Sequence, residues 1–376
     1  MKRASVQLGD FLTLKRGYDL PEQARVHGEV PVVSSSGVTG THNEAKVDGP
    51  GVVTGRYGTL GEVFYIDEPF WPLNTALYVQ DFKCNHPRFV SYFLKWILNG
   101  SQSDKAAVPG VNRNDLHARK VEVPDDPSEQ AAIAAVLTAY DDLIENNRRR
   151  IQLLEQAARL LYKEWFVHLR FPGHEHTKTT NGVPEGWEKI TIGESASFLS
   201  RGITPKYDDN APGLVINQKC IRNRMVSLDL ARRHSNQVPS TKIVQFGDML
   251  INSTGAGTLG RVAQFLYEAD GYTVDSHITI VRPREDIPVH YFGLCLASLE
   301  SFIATLGRGA TNQTELSKDD IAALEIIRPS SGHAQMFDKK VAVFFRQIYI
   351  LLGQLKKLSQ ARNLLLPRLM NGDYAV

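Results

Sequence analysis

The sequence predicts an α+β protein in which two homologous globular domains are separated by two long antiparallel coiled-coil helices, with pseudo-two-fold symmetry. Three observations predict this architecture. The 376-residue chain contains an internal repeat with a period of about 200 residues. Each repeat begins with short strand and helix signals between Gly and Pro residues, without regular βαβ alternation. Each repeat ends in a long apolar stripe with heptad spacing.

The repeat is visible as short matches that follow one another in the same order. The hexapeptide Gly-Thr-Leu-Gly-Glu-Val at Gly58 recurs as Gly-Thr-Leu-Gly-Arg-Val at Gly257. Several matches at similar offsets indicate a duplication, and a period this long indicates whole domains. The other matches are Leu8-Gly9-Asp10 with Ile192-Gly193-Glu194, Arg16-Gly17 with Arg201-Gly202, Asn74–Leu77 with Asp275–Ile278, Gly110–Asn112 with Gly309–Thr311, and Gln156–Leu161 with Gln360–Leu365.

The repeat divides the chain into five segments. The first globular domain is predicted at residues 1–126 and the second at 186–329. A central helix at 127–171 and a C-terminal helix at 330–376 close the two repeats, and a polar linker occupies 172–185.

Both closing segments have the apolar spacing of a coiled coil, with nine apolar residues among the ten seam positions of each. Their polar seam members are Asn147 and Arg362. Ser128 is the predicted N-cap of the first helix, and Pro172-Gly173 its end. Ser330 or Ser331 and Asn371-Gly372 are predicted to bound the second. The second helix starts where the first ends, so it must run back antiparallel to bury its stripe. Asn147 should then lie near Ile348 or Leu351, not near Arg362.

Composition fits a protein of the cytoplasm and does not by itself suggest DNA binding. Each predicted globular domain has a net charge of −1, from 14 basic and 15 acidic residues in 1–126 and from 15 and 16 in 186–329. Residues 330–376 carry +5. Any DNA contact must therefore come from local clusters of charge. We expect no membrane span, and we expect Cys84, Cys220 and Cys295 to be buried thiols.

Motifs for catalysis are absent from the sequence. There is no Gly-Lys dipeptide of a phosphate-binding loop and no Asn-Pro-Pro or Asp-Pro-Pro of an amino-methyltransferase. Asp67 with Asp81-Phe82-Lys83 faintly resembles a metal-dependent nuclease site, a combination that arises often by chance. His168, His174 and His176 flank a Pro-Gly break without a further ligand, which favours a polar linker over a metal site.

Several segments resemble type I restriction-modification specificity subunits. The run Leu153 to His168, Leu-Leu-Glu-Gln-Ala-Ala-Arg-Leu-Leu-Tyr-Lys-Glu-Trp-Phe-Val-His, and the following Leu169 to Glu175 resemble the central conserved region of that family. Val183-Pro184-Glu185-Gly186-Trp187 is similar to the entry of its second target recognition domain. Pro127–Gln130 and Leu364–Gly372 resemble its helix-start and C-terminal segments. The first unit lacks the Pro-x-Gly-Trp entry, which leaves its N-terminal boundary open.

The resemblance implies a DNA-reading subunit without catalytic activity. Each recognition domain would read half of a split, asymmetric site in double-stranded DNA, while the helices set the gap. The helices would also dock two methyltransferase subunits, to which restriction and translocase subunits are added. S-adenosylmethionine, ATP and Mg²⁺ would belong to those partners, so no cofactor and no metal is expected on this chain. A stand-alone metal-dependent nuclease and a coiled-coil scaffold without a DNA role remain the alternatives.

Candidate DNA contacts are basic and amide side chains in loops with glycine, where they can reach groove edges. Arg56 and Arg308 are the leading candidates because glycines beside them let the backbone approach DNA. Arg148-Arg149-Arg150 fits a solvated helix face and a docking role equally well. The candidates of the first domain are Lys15, Arg16, Arg56, Tyr57, Asn112, Arg113 and Asn114, and those of the second are Arg201, Lys206, Lys219, Arg222, Asn223, Arg224, Arg308, Asn312 and Gln313.

Overall fold

The computed structural model describes residues 3–56, 61–99, 112–268, 271–309 and 314–374. The chain forms two compact units. Unit 1 contains Met1–Asn147 and Gln354–Val376, and unit 2 contains Arg148–Gly353. The predicted recognition domains at 1–126 and 186–329 fall in unit 1 and unit 2 respectively, and their limits remain predictions. The boundary between the units passes through both long helices.

Unit 1 combines nine strands with three helices and parts of both long helices. The strands are β1 (Arg3–Gln7), β2 (Thr13–Arg16), β3 (Val30–Ser34), β4 (Gly37–His42), β5 (Gly51–Gly55), β6 (Val63–Ile66), β7 (Trp71–Pro72), β8 (Ala76–Asp81) and β9 (Lys120–Pro124), and the helices are α1 (Leu8–Phe11), α2 (Pro87–Asn99), α3 (Arg113–Ala118) and the first part of α4 (Pro127–Tyr162).

Unit 2 repeats this sequence of elements with additional short strands. Its strands are β10 (Thr179–Thr180), β11 (Val183–Pro184), β12 (Glu188–Thr191), β13 (Ala196–Arg201), β14 (Gly213–Ile216), β15 (Ile221–Arg222), β16 (Met225–Val226), β17 (Arg232–His234), β18 (Met249–Asn252), β19 (Val262–Gln264), β20 (Tyr272–Val274), β21 (Ile278–Pro283) and β22 (Glu325–Arg328), and its helices are α5 (Ile192–Ser195), α6 (Val289–Ser298), α7 (Glu300–Ile303), α8 (Lys318–Ala322) and part of α9 (Ser331–Asn371).

The sheets of the two units have matching strand order, which confirms the predicted duplication. The four-stranded sheet runs β2-β8-β5-β6 in unit 1 and β13-β21-β18-β19 in unit 2. The three-stranded sheets, β4-β3-β7 and β17-β14-β20, each pair their central strand antiparallel to one neighbour and parallel to the other. The antiparallel pairs β1-β9 and β12-β22 complete the correspondence. The α+β fold class is therefore correct.

Gly17 and Gly202 occupy equivalent places beside the four-stranded sheets. A Cβ atom on Gly17 would lie 2.3 Å from the carbonyl oxygen of Leu73, and one on Gly202 would lie 2.0 Å from that of Val274. Any side chain at either position would collide with backbone. The match between Arg16-Gly17 and Arg201-Gly202 thus reflects a packing requirement that both units kept.

Backbone hydrogen bonds correct the alignment of the repeat at the start of β8 and β21. The peptide nitrogen of Gly17 donates to the oxygen of Ala76 at 3.2 Å, and that of Gly202 donates to the oxygen of Ile278 at 3.0 Å. Ala76 is therefore equivalent to Ile278 rather than to His277, the pairing that the sequence comparison predicts. The sequence comparison aligned Thr75 with Ser276 because both side chains carry a hydroxyl. Strand register, however, is set by main-chain pairing.

The starts of the two long helices differ in part from the prediction. The carboxylate of Asp126 accepts hydrogen bonds from the backbone nitrogen of Ser128 at 2.8 Å and from its hydroxyl at 2.5 Å. Asp126 is thus the N-cap, and the prediction of Ser128 is wrong because Pro127, which has no N–H, takes the first helical position. Ser330 caps α9, since its carbonyl accepts from the nitrogen of Ala334 at 2.9 Å.

Within unit 1 the long helices run antiparallel, as predicted. Arg362 donates to Asp141 at 2.5 Å, and the amide of Asn147 donates to Oε1 of Gln354 at 3.2 Å. From Asp141 to Asn147 along α4, the partner on α9 changes from Arg362 to Gln354, so the two helices run in opposite directions. The sequence placed Asn147 near Ile348 or Leu351. Its observed partner, Gln354, lies three residues after Leu351.

Within unit 2 the same helices are joined by aromatic side chains. The ring of Phe337 on α9 lies 6.2 Å from that of Tyr162, 5.6 Å from Trp165 and 4.8 Å from Phe166. The backbone of α4 passes into a π-helical turn, Lys163–Val167. The α-helix therefore ends at Tyr162, before the predicted break at Pro172-Gly173, and Trp165 and Phe166 of the turn belong to the core of unit 2.

Cys220 and Cys295 are buried as predicted, but Cys84 is exposed. Lys83 and Cys84 both have left-handed backbone conformations, with φ of 51° and 65°, in the connection between β8 and α2. The Cys84 side chain lies outside the core because this tight connection runs over the surface.

Over the residues that the structure describes, no single helix has the length and apolar character to cross a membrane. One bent helix pair, Val289–Ser298 with Glu300–Leu306, meets the length and composition requirement.

Candidate nucleic-acid interface

In unit 1, Arg16 and Arg56 lie at the same end of the four-stranded sheet. Arg16 ends β2 opposite Leu77 of β8, and Arg56 directly follows β5. The backbone nitrogen of Arg56 donates to the oxygen of Thr75 at 3.1 Å, and Nε of Arg16 donates to the oxygen of Asn74 at 3.3 Å. Because β2 and β5 both pair with β8, the two arginines flank the turn that enters β8.

Lys15, one residue earlier, points to the other face of β2 because side chains alternate along a strand. Its ammonium lies 5.7 Å from the ring centre of Tyr18. The hydroxyl of Tyr18 lies 3.1 Å from that of Tyr78. This hydrogen bond lowers the pKa of Tyr18 against the opposing effect of burial, and the positive charge of Lys15 acts in the same direction as the hydrogen bond. The structure thus gives Lys15 an aromatic neighbour within the fold.

Asn112, Arg113 and Asn114 are exposed at the start of α3. Asn112 is the N-cap, because its side-chain oxygen accepts from the nitrogen of Asn114 at 2.9 Å. Arg113 donates to the same Asn114 side chain at 3.3 Å. The helix is fixed from its other face by His117, whose Nε2 accepts from the backbone nitrogen of Leu14 at 2.9 Å. These three residues therefore have a rigid support and a solvated surface.

In unit 2, Arg201 is the counterpart of Arg16 at the end of β13. Its guanidinium pairs with the carboxylate of Glu315 and donates to the oxygen of Leu316 at 2.8 Å. The backbone of Glu315 is bridged to Thr254 on one side and to Arg308 on the other. Arg201 and Arg308, which are 107 positions apart by their numbers, are therefore brought together around Glu315.

Arg308 reaches solvent with 80% of its side chain exposed, and its Nη2 lies 2.6 Å from Oδ1 of Asp320. Asp320 is itself held in place by Ser317, whose hydroxyl donates to its carboxylate at 2.8 Å. Gly309 beside Arg308 has a φ of 132°, a conformation available to glycine. The geometry thus places a solvent-facing guanidinium next to a backbone that only glycine accommodates.

A polar group that the sequence reasoning missed lies next to this pair. The hydroxyl of Thr254 is 2.8 Å from Nδ1 of His277 and accepts a hydrogen bond from Nε2 of Gln218 at 2.9 Å. Below it, the buried Asn252 donates to the backbone oxygen of Gln218 at 3.3 Å. His277 is exposed and follows Asp275, whose carboxyl pKa is raised by burial. The signal in the sequence was Asn252-Ser253-Thr254, the last residue of the buried strand β18 and the two residues that follow it.

Arg222, Asn223 and Arg224 form the tip of the β15-β16 hairpin, where Asn223 and Arg224 have φ of 53° and 60°. Nε of Arg224 lies 2.7 Å from the carboxylate of Glu300 on α7. Arg224 also lies near Glu155 of α4, whose pKa is raised by burial although Arg159 and Arg224 act in the opposite direction. Arg224 thus faces α7 and α4, whereas Arg222 and Asn223 are exposed.

The remaining candidates are separate from these groups or outside the described residues. Lys206 is exposed, and its backbone nitrogen donates to Oδ1 of Asn236 at 2.5 Å. Lys219 is exposed beside Gln218. Lys242, which the sequence reasoning missed, donates to the oxygen of Gly202 at 2.8 Å. Tyr57, Asn312 and Gln313 lie outside the described residues.

Four of the side chains considered for a metal site have other partners. Nζ of Lys83 lies 3.8 Å from the carboxylate of Asp81. Nδ1 of His168 lies 2.8 Å from Glu164, and Nδ1 of His174 lies 2.9 Å from the oxygen of Phe171. Across the described ranges, no three His, Cys, Asp or Glu side chains come together as a metal site.

Comparison with known proteins gives consistent matches. Residues 3–156 match the family model described as the type I restriction modification DNA specificity domain. The type I restriction enzyme MjaIX specificity subunit of Methanocaldococcus jannaschii is 27% identical over 301 residues, which cover 76% of this chain and 67% of that protein. The HindI specificity subunit of Haemophilus influenzae is 22% identical over 344 residues, which cover 73% of each chain.

Among solved structures, the S subunit of a type I restriction-modification system from M. genitalium has a similar fold. It matches with a TM-score of 0.65 and 16% sequence identity, and the match covers 98% of this chain and 96% of that one. At this identity the likeness concerns the fold. It agrees with the duplicated arrangement of strands in units 1 and 2.

Proposed function

Because the chain belongs to the family of type I restriction-modification specificity subunits, we propose that each of its units reads one half of a split DNA site. The half-sites differ in sequence, since the loop residues of the two units differ. The chain supplies sequence specificity to partner enzymes and performs no chemistry itself.

The observation that carries this proposal is the equivalent position of Arg16 and Arg201. Each arginine ends the first strand of a four-stranded sheet, directly before the glycine that packs against two carbonyl groups. In each unit a second arginine, Arg56 or Arg308, lies at the same end. Arginine is the side chain that most often contacts guanine edges and also binds phosphate. The arginine before the packed glycine is present in both units, and this repeated site fits a two-part target.

The absence of catalytic activity is part of the proposal, and so is the absence of a bound cofactor. The sequence contains no phosphate-binding Gly-Lys motif and no amino-methyltransferase tripeptide. The faint nuclease motif has Asp81 beside Lys83, and no third acidic or histidine ligand joins it among the described residues. S-adenosylmethionine, ATP and Mg²⁺ are accordingly assigned to the partner subunits.

Docking of two methyltransferase subunits is supported by apolar side chains that the long helices leave exposed. Leu153 and Leu160 of α4 are 55% and 54% exposed. These two leucines are seven residues apart and lie on one face of the helix, and an exposed apolar patch is typical of a protein interface. Each unit contains part of both helices, so one methyltransferase per unit is expected, and the mass of the purified complex measures this number. The other exposed large apolar residues of α4, of the π-helical turn that follows it and of α9 are Leu143, Val167, Met336, Val343, Tyr349, Ile350 and Leu364.

Exchange of the second recognition domain tests the function. Residues 186–329 are replaced by the matching domain of a relative, and the variant is expressed with its methyltransferase partner. Mapping of methylated sites should show one half-site changed and the other retained. A change in both half-sites would contradict separate reading by the two units. Uniform methylation without sequence preference, in wild type and variant alike, would instead favour a scaffold without a DNA role.

An insertion in the helix is the matched control for the exchange. Four residues placed between Asn147 and Arg148 add about one helical turn, roughly 6 Å. At about 3.4 Å per base pair, the gap between the half-sites should change by one or two base pairs. The bases read should stay the same because the insertion leaves both recognition domains intact. Altered bases with an unchanged gap would show that the helices do not set the spacing.

A further inference from the structure

Two carboxylates hold the arginines of the candidate interface in unit 2. Glu315 pairs with Arg201, and Asp320 pairs with Arg308 at 2.6 Å. The side chains are unequal in exposure: Arg308 is 80% exposed and Glu315 57%, whereas Asp320 is 18% exposed. Both pairs lie at the surface, so DNA can compete with the carboxylates for the guanidinium groups.

The carboxylates are fixed by the fold rather than placed by chance rotation. The backbone of Glu315 exchanges two hydrogen bonds with Arg308, at 2.9 and 2.8 Å. The next residue, Leu316, is fully buried and donates to the oxygen of Ser253 at 2.8 Å. The Ser317 hydroxyl holds Asp320 from the other side. Glu315 and Asp320 therefore have backbone positions that persist when the arginines move.

Unit 1 shows that this arrangement is not a requirement of the fold. Arg16, at the position of Arg201, donates to the backbone oxygen of Asn74 instead of a carboxylate. Arg113 donates to the side-chain amide of Asn114. Neutral oxygens accept from Arg16 and Arg113 in unit 1, so the fold does not require a carboxylate partner for the arginine at the position of Arg201.

We propose that Glu315 and Asp320 increase the sequence discrimination of unit 2 by competing with phosphate for Arg201 and Arg308. This inference rests on the proposed function. Non-target DNA must displace both carboxylates and leave them beside a polyanion, which weakens its binding. In the target complex, a released carboxylate accepts a hydrogen bond from an exocyclic amino group of a base, as glutamate does from cytosine N4. Target DNA thus offsets a penalty that non-target DNA bears in full.

The experiment measures binding of the full chain, with its methyltransferase partner, to a duplex carrying its mapped methylation site and to a scrambled duplex. The variants are Glu315→Gln and Asp320→Asn. Affinity for the scrambled duplex should rise roughly 2- to 5-fold for each variant, the range expected for one exposed ion pair. Affinity for the target should rise less or fall. The ratio of target to scrambled affinity should therefore decrease.

The salt dependence provides a second readout that a merely structural role would not change. A released carboxylate takes up a cation, which offsets a cation that DNA releases. Without the carboxylate, the slope of log K against log salt on scrambled DNA should become steeper by at most about 0.9, the contribution of one phosphate contact. Glu315→Asp keeps the charge and should retain the wild-type slope. Arg201→Ala should abolish the effect of Glu315→Gln.

Glu325→Gln is the matched control, because it removes one exposed carboxylate of unit 2 at β22. The control should leave the affinity ratio unchanged. An unchanged ratio in Glu315→Gln and Asp320→Asn, or an effect no larger than that of Glu325→Gln, would overturn the inference while wild type still prefers its target. If wild type itself binds both duplexes equally, the proposed function fails instead.

Discussion

Gly17 in unit 1 and Gly202 in unit 2 both lie against backbone carbonyl groups, yet the arginines that precede them have different partners. Arg16 donates to a carbonyl oxygen, and Arg201 pairs with Glu315. After the duplication, the position that packs against backbone has kept its residue, while the neighbouring surface contact has changed. The comparison teaches that packing can identify equivalent positions whose functional partners have diverged.

The largest effect should come from filling the glycine positions. Gly17→Ala and Gly202→Ala each place a Cβ within 2.3 Å of a backbone oxygen, so the chain must shift. We expect each variant to lose about 3 kcal/mol of unfolding free energy, the upper range of ordinary overpacking. Chemical denaturation measures the loss. An equal loss at both sites would support the equivalence of Gly17 and Gly202. A Gly17→Ala variant with unchanged unfolding free energy would contradict it.

Gly353→Ala serves as the control with the opposite sign. Gly353 lies inside α9, and a Cβ there would meet no atom within 4 Å. Alanine is the better helix former, so this variant should gain about 0.5–1 kcal/mol. A loss of stability at Gly353 would show that glycine substitutions in this chain report something other than steric contact.

The next effect concerns how each unit anchors a helix on a long helix. In unit 1 the side-chain oxygen of the neutral Gln130 accepts from the nitrogen of His86, at the start of α2, at 2.9 Å. In unit 2 the carboxylate of Asp338 accepts from the nitrogens of His290 and Tyr291, at the start of α6, at 2.9 and 3.3 Å. Both contacts hold the start of a helix against a long helix. The acceptor in unit 2 is a carboxylate that can be protonated, whereas the acceptor in unit 1 is a neutral amide.

Acid should therefore weaken unit 2 through this contact. Burial raises the pKa of Asp338, but its hydrogen bonds and the charge of His290 outweigh burial, and the net pKa is lowered. A lowered folded-state pKa adds stability above the unfolded value of about 3.9, and this stability is lost as the pH falls through the folded pKa. Asp338→Asn should cost about 1 kcal/mol at pH 7 and less in acid. Hydrogen exchange at His290, compared with His86, measures it; equal acid sensitivity at both would contradict the assignment.

The smallest effect on stability is expected from a change in the contact between the two long helices, which differs between unit 1 and unit 2. Unit 1 uses the polar contact of Asn147 with Gln354, and unit 2 uses aromatic rings around Phe337. Asn147 is 6% exposed but bonds to an exposed partner. Asn147→Leu should change unfolding free energy by less than about 0.5 kcal/mol, since gained apolar burial offsets the lost hydrogen bond. Marked destabilisation in thermal unfolding would assign Asn147 a required polar role.

Much of the fold could be predicted because repeated packing constraints leave repeated residues. The glycines beside the sheets and the apolar stripes of α4 and α9 are such constraints. The cap at Asp126 was missed because Ser128, two residues later, has the same preference and only the hydrogen bonds distinguish them. The alignment of Ala76 was displaced by one residue because similar side chains do not fix main-chain register.

The candidate interface could be predicted only in part. The sequence predicted Arg201 and Arg308 as candidates because both are basic side chains next to glycine, and the structure brings the two together around Glu315. The role of Glu315 depends on backbone bridges to Thr254 and Arg308, and the bridge to Thr254 spans positions far apart in the chain. Such pairing leaves no local periodicity to read. His277 was missed for the same reason, because it contacts Thr254 across two strands.

The division of the chain also determines the order in which the units can be completed during synthesis. Unit 2 is one continuous stretch, Arg148–Gly353, whereas unit 1 needs both Met1–Asn147 and Gln354–Val376. Arg3 donates to the backbone oxygen of Leu369 at 3.0 Å, across 366 positions. A chain emerging from the ribosome therefore has every residue of unit 2 before unit 1 can close. Until Leu369 and Met370 have been synthesised, the core of unit 1 around Ile133 and Leu137 lacks the side chains that complete it, and its apolar surface stays exposed.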